Sequence, residues 1–145
     1  TQRLAGYEDA VRETDDSLPD HMLFVYAKSS FEGGREVASE ILSDQRPPTA
    51  IIAMSDIVAL GILEAVAEAG LRVPEDISVV GFDDIPEARL VRPQLTTVSQ
   101  PGYDKGRHAA DTLMQLIAKE QTSRHIILPT ELVVGGTTGT VNTTE

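Results

Sequence analysis

The sequence predicts an α/β fold, in which a parallel β-sheet is flanked by helices on both faces. Apolar, β-branched runs of strand length alternate with amphipathic stretches of helix length. The strand-like runs "AIIAM" at 50–54 and "ISVV" at 77–80 are apolar at nearly every position. Such runs are typical of parallel strands, because both faces of the sheet are then buried.

The first half of the chain contains two predicted helices and two predicted strands. Apolar residues recur at helical spacing over residues 3–13, which predicts the first helix. The compact apolar run "MLFVYA" at 22–27 predicts a buried strand. A second helix is predicted over 35–43 and the next strand over 50–54.

The second half continues the alternation. A helix is predicted over 57–69, and Gly70 suits the position that ends it, since glycine tolerates a positive φ. The later predictions are strands from 77 and over 95–98, a long amphipathic helix over 102–119, and short extended segments over 125–128 and 132–134.

Composition sets limits on function. The 145 residues suit one domain, and the formal net charge of −11 repels phosphate backbones and anionic lipid surfaces. We therefore expect no binding of nucleic acid or membrane by this chain itself. The chain has no cysteine, which excludes disulfides, thiolate metal sites and a cysteine nucleophile. No run approaches the ~18 consecutive apolar residues of a membrane span.

Polar residues follow three of the predicted strands. Ser29 follows the first, Ser55 and Asp56 follow the second, and Asp83 and Asp84 follow the third. In an open parallel sheet, ligands bind outside the carboxyl ends of the strands, so these side chains are expected along one edge. An aspartate there can accept two hydroxyl hydrogen bonds, which suits the vicinal diol of a sugar.

Two other interpretations of the aspartates remain open. Turn or cap chemistry is the favoured interpretation of Asp84, whereas ligand binding is favoured for Asp83. Alternatively, Asp56, Asp83 and Asp84 together could hold Mg²⁺, which takes oxygen ligands. Acidic pockets of that kind usually carry a lysine at a late strand end, and Lys105 and Lys119 fall in a predicted helix instead. The magnesium interpretation therefore ranks below sugar binding.

The sequence predicts no catalytic residue, no metal site and no cofactor. None of the three histidines lies at a predicted strand end or beside a nucleophile at a motif spacing; they are His21, His108 and His125. The Gly-x-Ser-x-Gly elbow and the glycine-rich phosphate loops are absent. We expect a binding domain rather than an enzyme.

The helix predicted over 57–69, "IVALGILEAVAEA", is apolar on nearly every side. One face is expected to pack on the sheet, and the other also needs cover, because a helix that is apolar all round is normally buried. A homodimer interface is the favoured cover, with four candidate residues: Ile57, Leu60, Gly61 and Glu64. The alternative is that alanine and glycine make the second face only mildly apolar and tolerable in water.

Three segments resemble the lactose-repressor/galactose-repressor (LacI/GalR) family of bacterial transcription regulators. They are "PTAIIAMSDIVALGILEAVAEAGLRVPEDISVVGFDDI", "RPQLTTVSQPGYDKGRHAADTLMQLI" and "ILPTELVV", with "RLAGY" near the start fitting the same pattern. The resemblance covers residues 3–138, nearly the whole chain, and the run VP-x-DISVVGFDD followed by LTTV-x-QP is highly specific.

The resemblance implies a fold like that of the type I periplasmic sugar-binding proteins, with two lobes and a small effector between them. Residues 1–145 are then expected to be a fragment of the effector-binding domain, mostly its C-terminal lobe. Residues from about 96 to 120 are expected to cross into the N-terminal lobe. The family's DNA-binding helix-turn-helix is not found in this chain, so DNA is expected as a partner only through that missing domain.

The resemblance also implies roles for individual residues. Arg3 matches an arginine that binds effector hydroxyl or carboxylate groups, and Asp83 matches an aspartate that takes two ligand hydroxyls. Phe82 matches an apolar wall beside it, and Gln100 lies at the crossover, where it can line the pocket.

Two matched positions depart from the family's pattern. Ser55 stands where the family usually has an asparagine, so the polar contact there is expected to be weaker or water-bridged. Ser29 falls near a position that is often aromatic and stacks on a sugar ring.

The predicted function is effector binding and homodimerisation in a cytoplasmic LacI-type transcription regulator, with a sugar as the expected effector. The alternative is a periplasmic sugar-binding protein of a transport system, which shares the fold and the polar edge. The region upstream of the chain would distinguish the two, since a signal peptide indicates transport and a helix-turn-helix indicates regulation.

Overall fold

Four α-helices and four short β-strands form the part of the chain described by the computed structural model, which comprises residues 2–14, 24–120 and 125–140. The helices are α1 (Gln2–Thr14), α2 (Phe31–Leu42), α3 (Asp56–Glu68) and α4 (Gly102–Ile117). The strands are β1 (Ala50–Ile52), β2 (Ser78–Val80), β3 (Thr97–Ser99) and β4 (Glu131–Val133), and a 3₁₀ turn spans Pro86–Arg89.

The first three strands run parallel, as the sequence predicts. β1 pairs with β2 in parallel register, with Ile51 opposite Val79. β3 lies on the other side of β2 through two isolated parallel bridges, Val80 to Thr96 and Asp83 to Ser99. The carboxyl ends of all three strands therefore lie at one edge, while β4 adds an antiparallel partner to β3.

The core lies between the strands and the helix pair α2 and α3. It is almost entirely aliphatic, as a sequence with few aromatic residues requires. The two helices approach closely because glycines face backbone: a Cβ built on Gly61 would lie 1.9 Å from the carbonyl oxygen of Phe31. The buried apolar residues of the core are Ala38, Ala53, Val58, Ala59, Ile62, Ala65, Val66, Ile77, Val79, Ala88 and Leu95.

The prediction for α2 is wrong at its start. The helix begins at Phe31 rather than at residue 35, because the Ser30 hydroxyl accepts a hydrogen bond from the Gly33 amide at 3.0 Å and caps it. Gly33 and Gly34 are consequently helical and buried, although glycine pairs usually interrupt helices.

The strand predicted at 22–27 is not found where it can be assessed. Residues 22 and 23 lie outside the described residues, and residues 24–28 pair with no strand in the described part of the chain. The side chain of Tyr26 is 99% exposed. The apolar run predicts burial, but a strand also needs a neighbour that takes its backbone hydrogen bonds, and sequence does not supply one.

Helix α4 has no buried residue, although it is strongly amphipathic. Leu113, Met114, Leu116 and Ile117 on this helix are all exposed. The assignment of residues 96–120 to a crossover into a second lobe stays a prediction. None of the helices in the described ranges is long and apolar enough to cross a membrane.

Candidate functional site

The backbone turns sharply where β2 ends, at the two aspartates. Asp83 has a φ of 124° and Asp84 a φ of 58°, both in a region that residues other than glycine seldom adopt. The Asp83 amide donates to the Val98 carbonyl at 3.0 Å, so a backbone hydrogen bond connects the turn to β3. Backbone strain of this kind costs about 1–3 kcal/mol and is concentrated at functional sites.

Asp83, Gln100 and Lys105 form a continuous polar chain at this edge. The Gln100 Nε2 donates to Asp83 Oδ1 at 2.6 Å. Lys105 Nζ donates to the Oε1 of the same glutamine. Since Gln100 follows β3 and Lys105 lies in the first turn of α4, these two hydrogen bonds link the end of β2 to that helix.

Arg3 reaches the same edge from α1. Its Nη1 donates to the carbonyl oxygen of Met54 at 2.7 Å, just after the end of β1. Its guanidinium carbon lies 4.3 Å from the centroid of the Phe82 ring, which is a cation–π contact. The structure therefore places Arg3 against Phe82, the residue before Asp83. The ligand-binding roles of these residues stay predictions.

Ser55 presents a polar atom without a partner in the described structure. It occupies the N-cap position of α3, yet its side chain makes no cap hydrogen bond. Its Oγ is buried and has no hydrogen-bond partner among the described residues. Leaving a buried hydroxyl unpaired costs about 1–3 kcal/mol, so this position favours a bound water or a ligand group.

Ser29 lies near the start of α2. It is exposed and lies one residue before the cap of α2. None of the hydrogen bonds found among the described residues joins Ser29 to Asp83 or Gln100.

Asp56 lies beneath the edge, 0% exposed. Its Oδ2 accepts from the Ile85 amide at 2.9 Å and its Oδ1 from the Thr97 hydroxyl at 2.5 Å. Gly81 leaves room for this carboxylate, since a Cβ there would lie 2.2 Å from Oδ1. Asp56 thus joins the start of α3 to β3 and to the turn after β2, rather than capping its own helix.

Asp84 is paired with Arg89. Its Oδ2 lies 2.6 Å from the arginine Nη2, and its side chain is 6% exposed. The hydrogen bond from Arg89 lowers the pKa of the Asp84 carboxyl, and desolvation opposes that effect only in part. The carboxylates of Asp56, Asp83 and Asp84 therefore meet protein donors, and no group of acidic or histidine residues in the described ranges is arranged to hold a metal ion. The magnesium interpretation gains no support.

The predicted interface residues divide into two kinds. Gly61 is buried and Leu60 is only 9% exposed, and α2 packs directly over Gly61. The prediction that the second face of α3 lacks cover within the chain is therefore wrong at Gly61. Ile57, which is 39% exposed, and Glu64 remain at the surface. The homodimer interface itself stays a prediction.

Sequence reasoning missed two contributors to this region. Lys105 was assigned only to a helix, although its place three residues after the start of α4 and five after Gln100 could have indicated contact with the strand ends. Thr97, the buried partner of Asp56, gave no signal, because 41 residues separate them.

Parallel strands, flanking helices and a polar cluster at the carboxyl ends are the architecture of a lobe of the periplasmic-binding-protein type. A family model described as "Periplasmic binding protein-like domain" matches residues 1–138. The chain belongs to this family, and the resemblance to LacI/GalR-type effector-binding domains is confirmed.

Two curated relatives illustrate the kinship. The ribose operon repressor of Haemophilus influenzae is 39% identical over 115 residues, covering 79% of this chain and 34% of the repressor. The HTH-type transcriptional repressor CytR of Escherichia coli is 35% identical over 141 residues, covering 94% of this chain and 40% of CytR. The chain thus spans well under half the length of these relatives.

Solved structures agree with the fold. A LacI family transcriptional regulator from Enterococcus faecium with bound ribose matches with a TM-score of 0.85 and 28% identity, over 94% of this chain and 50% of the other. The lac repressor dimer bound to operator and the anti-inducer ONPF matches with a TM-score of 0.83 and 33% identity, over 94% and 46%.

Proposed function

We propose that this chain binds a small polyhydroxylated effector, a sugar, as the effector-binding part of a LacI-type bacterial transcription regulator. The observation that carries the proposal is the polar cluster at the ends of β1, β2 and β3, where Arg3 packs on Phe82 and Gln100 bonds to Asp83. Two relatives support it by their names, a ribose operon repressor and a regulator with bound ribose.

The cluster has capacity beyond its internal bonds. A carboxylate offers about four lone-pair sites, so Asp83 can hold Gln100 and still accept ligand hydroxyls. A guanidinium carries five N–H donors, and the bond to Met54 uses one Nη of Arg3. The unpaired Ser55 hydroxyl supplies a further short donor or acceptor. No step of this function requires bond making or breaking, so the chain acts as a binding domain and not as an enzyme.

Regulation would follow from the position of the cluster. Asp83 belongs to the turn after β2, whereas Gln100 leads into α4, so an effector that contacts both favours one arrangement of these elements. A ligand shifts such an equilibrium only by its differential affinity for the two states. DNA would be bound by a separate helix-turn-helix domain, and a bacterial regulator of this kind acts in the cytoplasm.

A homodimer is part of the same proposal. Three of the similar solved structures are dimeric lac repressors. In this chain Ile57 and Glu64 are the exposed members of the predicted interface, and Leu60 contributes from the edge of the core. Regulation is favoured over sugar transport, because the curated relatives described above are repressors.

The test is a thermal-shift screen of the whole protein against pentoses and hexoses, both neutral ones and ones that carry a carboxylate or a phosphate. A sugar that raises Tm is then titrated by calorimetry into wild type, Asp83→Asn and the matched control Glu36→Gln. Both changes remove one negative charge, but Glu36 lies on the exposed side of α2. Asp83→Asn is expected to weaken binding at least about tenfold. Equal affinity in all three proteins would remove Asp83 from the site, and a screen without any sugar ligand would contradict the proposed effector class.

A further inference from the structure

The charges around the cluster are unequally paired. Asp84 has Arg89 as its ion-pair partner, and both oxygens of Asp56 accept from neutral groups. Arg3 contacts a carbonyl oxygen and an aromatic ring, and Lys105 contacts an amide oxygen. Within the ranges described, none of the ion pairs involves Arg3 or Lys105. Two cations without an ion-pair partner thus contact the neighbours of Asp83, since Arg3 packs on Phe82 and Lys105 bonds to Gln100, while the Asp83 side chain itself is exposed.

The balance of charge at this cluster is opposite in sign to that of the whole chain, whose formal net charge is −11. A strongly acidic protein repels anions at long range, so an anionic ligand needs a compensating cation at the site itself. Lysine is a compact, strongly hydrated point charge that suits a carboxylate or a phosphate. Its amide partner Gln100 is neutral and gives the ammonium group no ionic partner.

We propose that Lys105 makes this site selective for a sugar derivative that carries an anionic group, a carboxylate or a phosphate, beside its hydroxyls. The inference rests on the proposed function, because it assigns the ligand class of the same site. Hydroxyl groups bind Asp83, and the anionic group takes the place of the Gln100 amide oxygen at Lys105 Nζ. Only one side-chain amide separates Asp83 from Lys105, so a single monosaccharide derivative spans both.

A purely orienting role for Lys105 makes a different prediction. If the lysine only holds Gln100 against Asp83, its removal weakens neutral and anionic ligands to the same degree. If it binds the anionic group, its removal weakens the anionic ligand alone. The ratio of the two affinities therefore separates binding from positioning.

The experiment measures Kd by calorimetry on the whole protein with matched neutral and acidic sugars. The sets are glucose, glucuronate and glucose 6-phosphate; galactose, galacturonate and galactose 6-phosphate; and ribose with ribose 5-phosphate. Within the set that binds, we expect an acidic member to bind at least about tenfold more tightly than the neutral one. The carboxylate and phosphate arms identify which anion the site takes.

Variants locate the selectivity. Lys105→Met is expected to bring the acidic sugar to within about twofold of the neutral one, and Lys105→Arg is expected to restore most of the difference. Lys119→Met, which removes the same charge just beyond the end of α4, is the matched control and is expected to leave both affinities unchanged.

Several results would overturn the inference. They are equal or tighter binding of the neutral sugar, an equal loss for both sugars in Lys105→Met, or an equal effect of Lys119→Met. Binding of neutral sugars without discrimination would leave the proposed function intact and remove only the anionic preference. Absence of binding by every sugar, neutral or acidic, would contradict both.

Discussion

Replacement of Asp56 by alanine tests whether the buried carboxylate holds the site's framework together. The side chain is completely buried, and its two oxygens accept hydrogen bonds from the Ile85 amide and the Thr97 hydroxyl. These partners belong to the turn after β2 and to β3, respectively. Removal of the carboxylate would therefore leave two donors without their acceptor at the base of the candidate site.

The magnitude follows from those two bonds. A hydrogen bond to a charged group contributes about 1.5–3 kcal/mol, so loss of both is expected to lower the free energy of unfolding by about 3–6 kcal/mol. Asp56→Asn retains an acceptor for one donor and is expected to cost roughly half of that. Asp44→Ala is the matched control, because Asp44 also accepts from a backbone amide, that of Arg46 at 3.0 Å, but is exposed.

Urea unfolding followed by circular dichroism measures these differences. A double-mutant cycle with Thr97→Val isolates the pair, with an expected coupling of about 1–3 kcal/mol. A loss below about 1 kcal/mol in Asp56→Ala, comparable with Asp44→Ala, would refute the reasoning, because it would mean that the two bonds do not stabilise the folded chain.

Two further predictions concern the helix contact and an exposed ion pair. Gly61→Ala places a Cβ 1.9 Å from the carbonyl oxygen of Phe31, so it is expected to lower the free energy of unfolding by about 1–3 kcal/mol. The control Gly6→Ala meets nothing within 4 Å and is expected to be neutral or stabilising. Equal effects of the two substitutions would contradict the close approach of α2 and α3. The hydrogen bond from the Arg72 side chain lowers the pKa of Asp76 from 3.8 to about 2. Because the pKa of Asp76 is depressed in the folded state, its ion pair stabilises the fold above pH 3.8, and this stabilisation is lost as pH falls through about 2. An NMR titration of the Asp76 carboxyl measures its pKa in wild type and in Arg72→Gln. A wild-type pKa near 3.8, or a pKa that does not rise toward 3.8 in Arg72→Gln, would contradict this.

Local patterns determined much of the fold. The apolar periodicity predicted α1, α3 and α4 to within two residues at each end, because each helix is long enough for its period to be read. The apolar strand runs predicted parallel strands, and the polar residues after them predicted a polar edge that includes Asp83, whereas Arg3 and Phe82 were indicated only by the family resemblance. Short elements were less predictable, since a side chain such as Ser30 can start a helix four residues early.

Contacts between distant segments were decided only by the tertiary structure. The sequence by itself determined the α/β class, the parallel strands, the kinship and the polar edge, because these depend on residue types and their local spacing. It could not reveal that α2 packs over Gly61, that the Thr97 hydroxyl donates to Asp56, or that Lys105 donates to Gln100. Each of these contacts joins elements whose relative placement is set by packing of the whole core, and no local propensity encodes that placement.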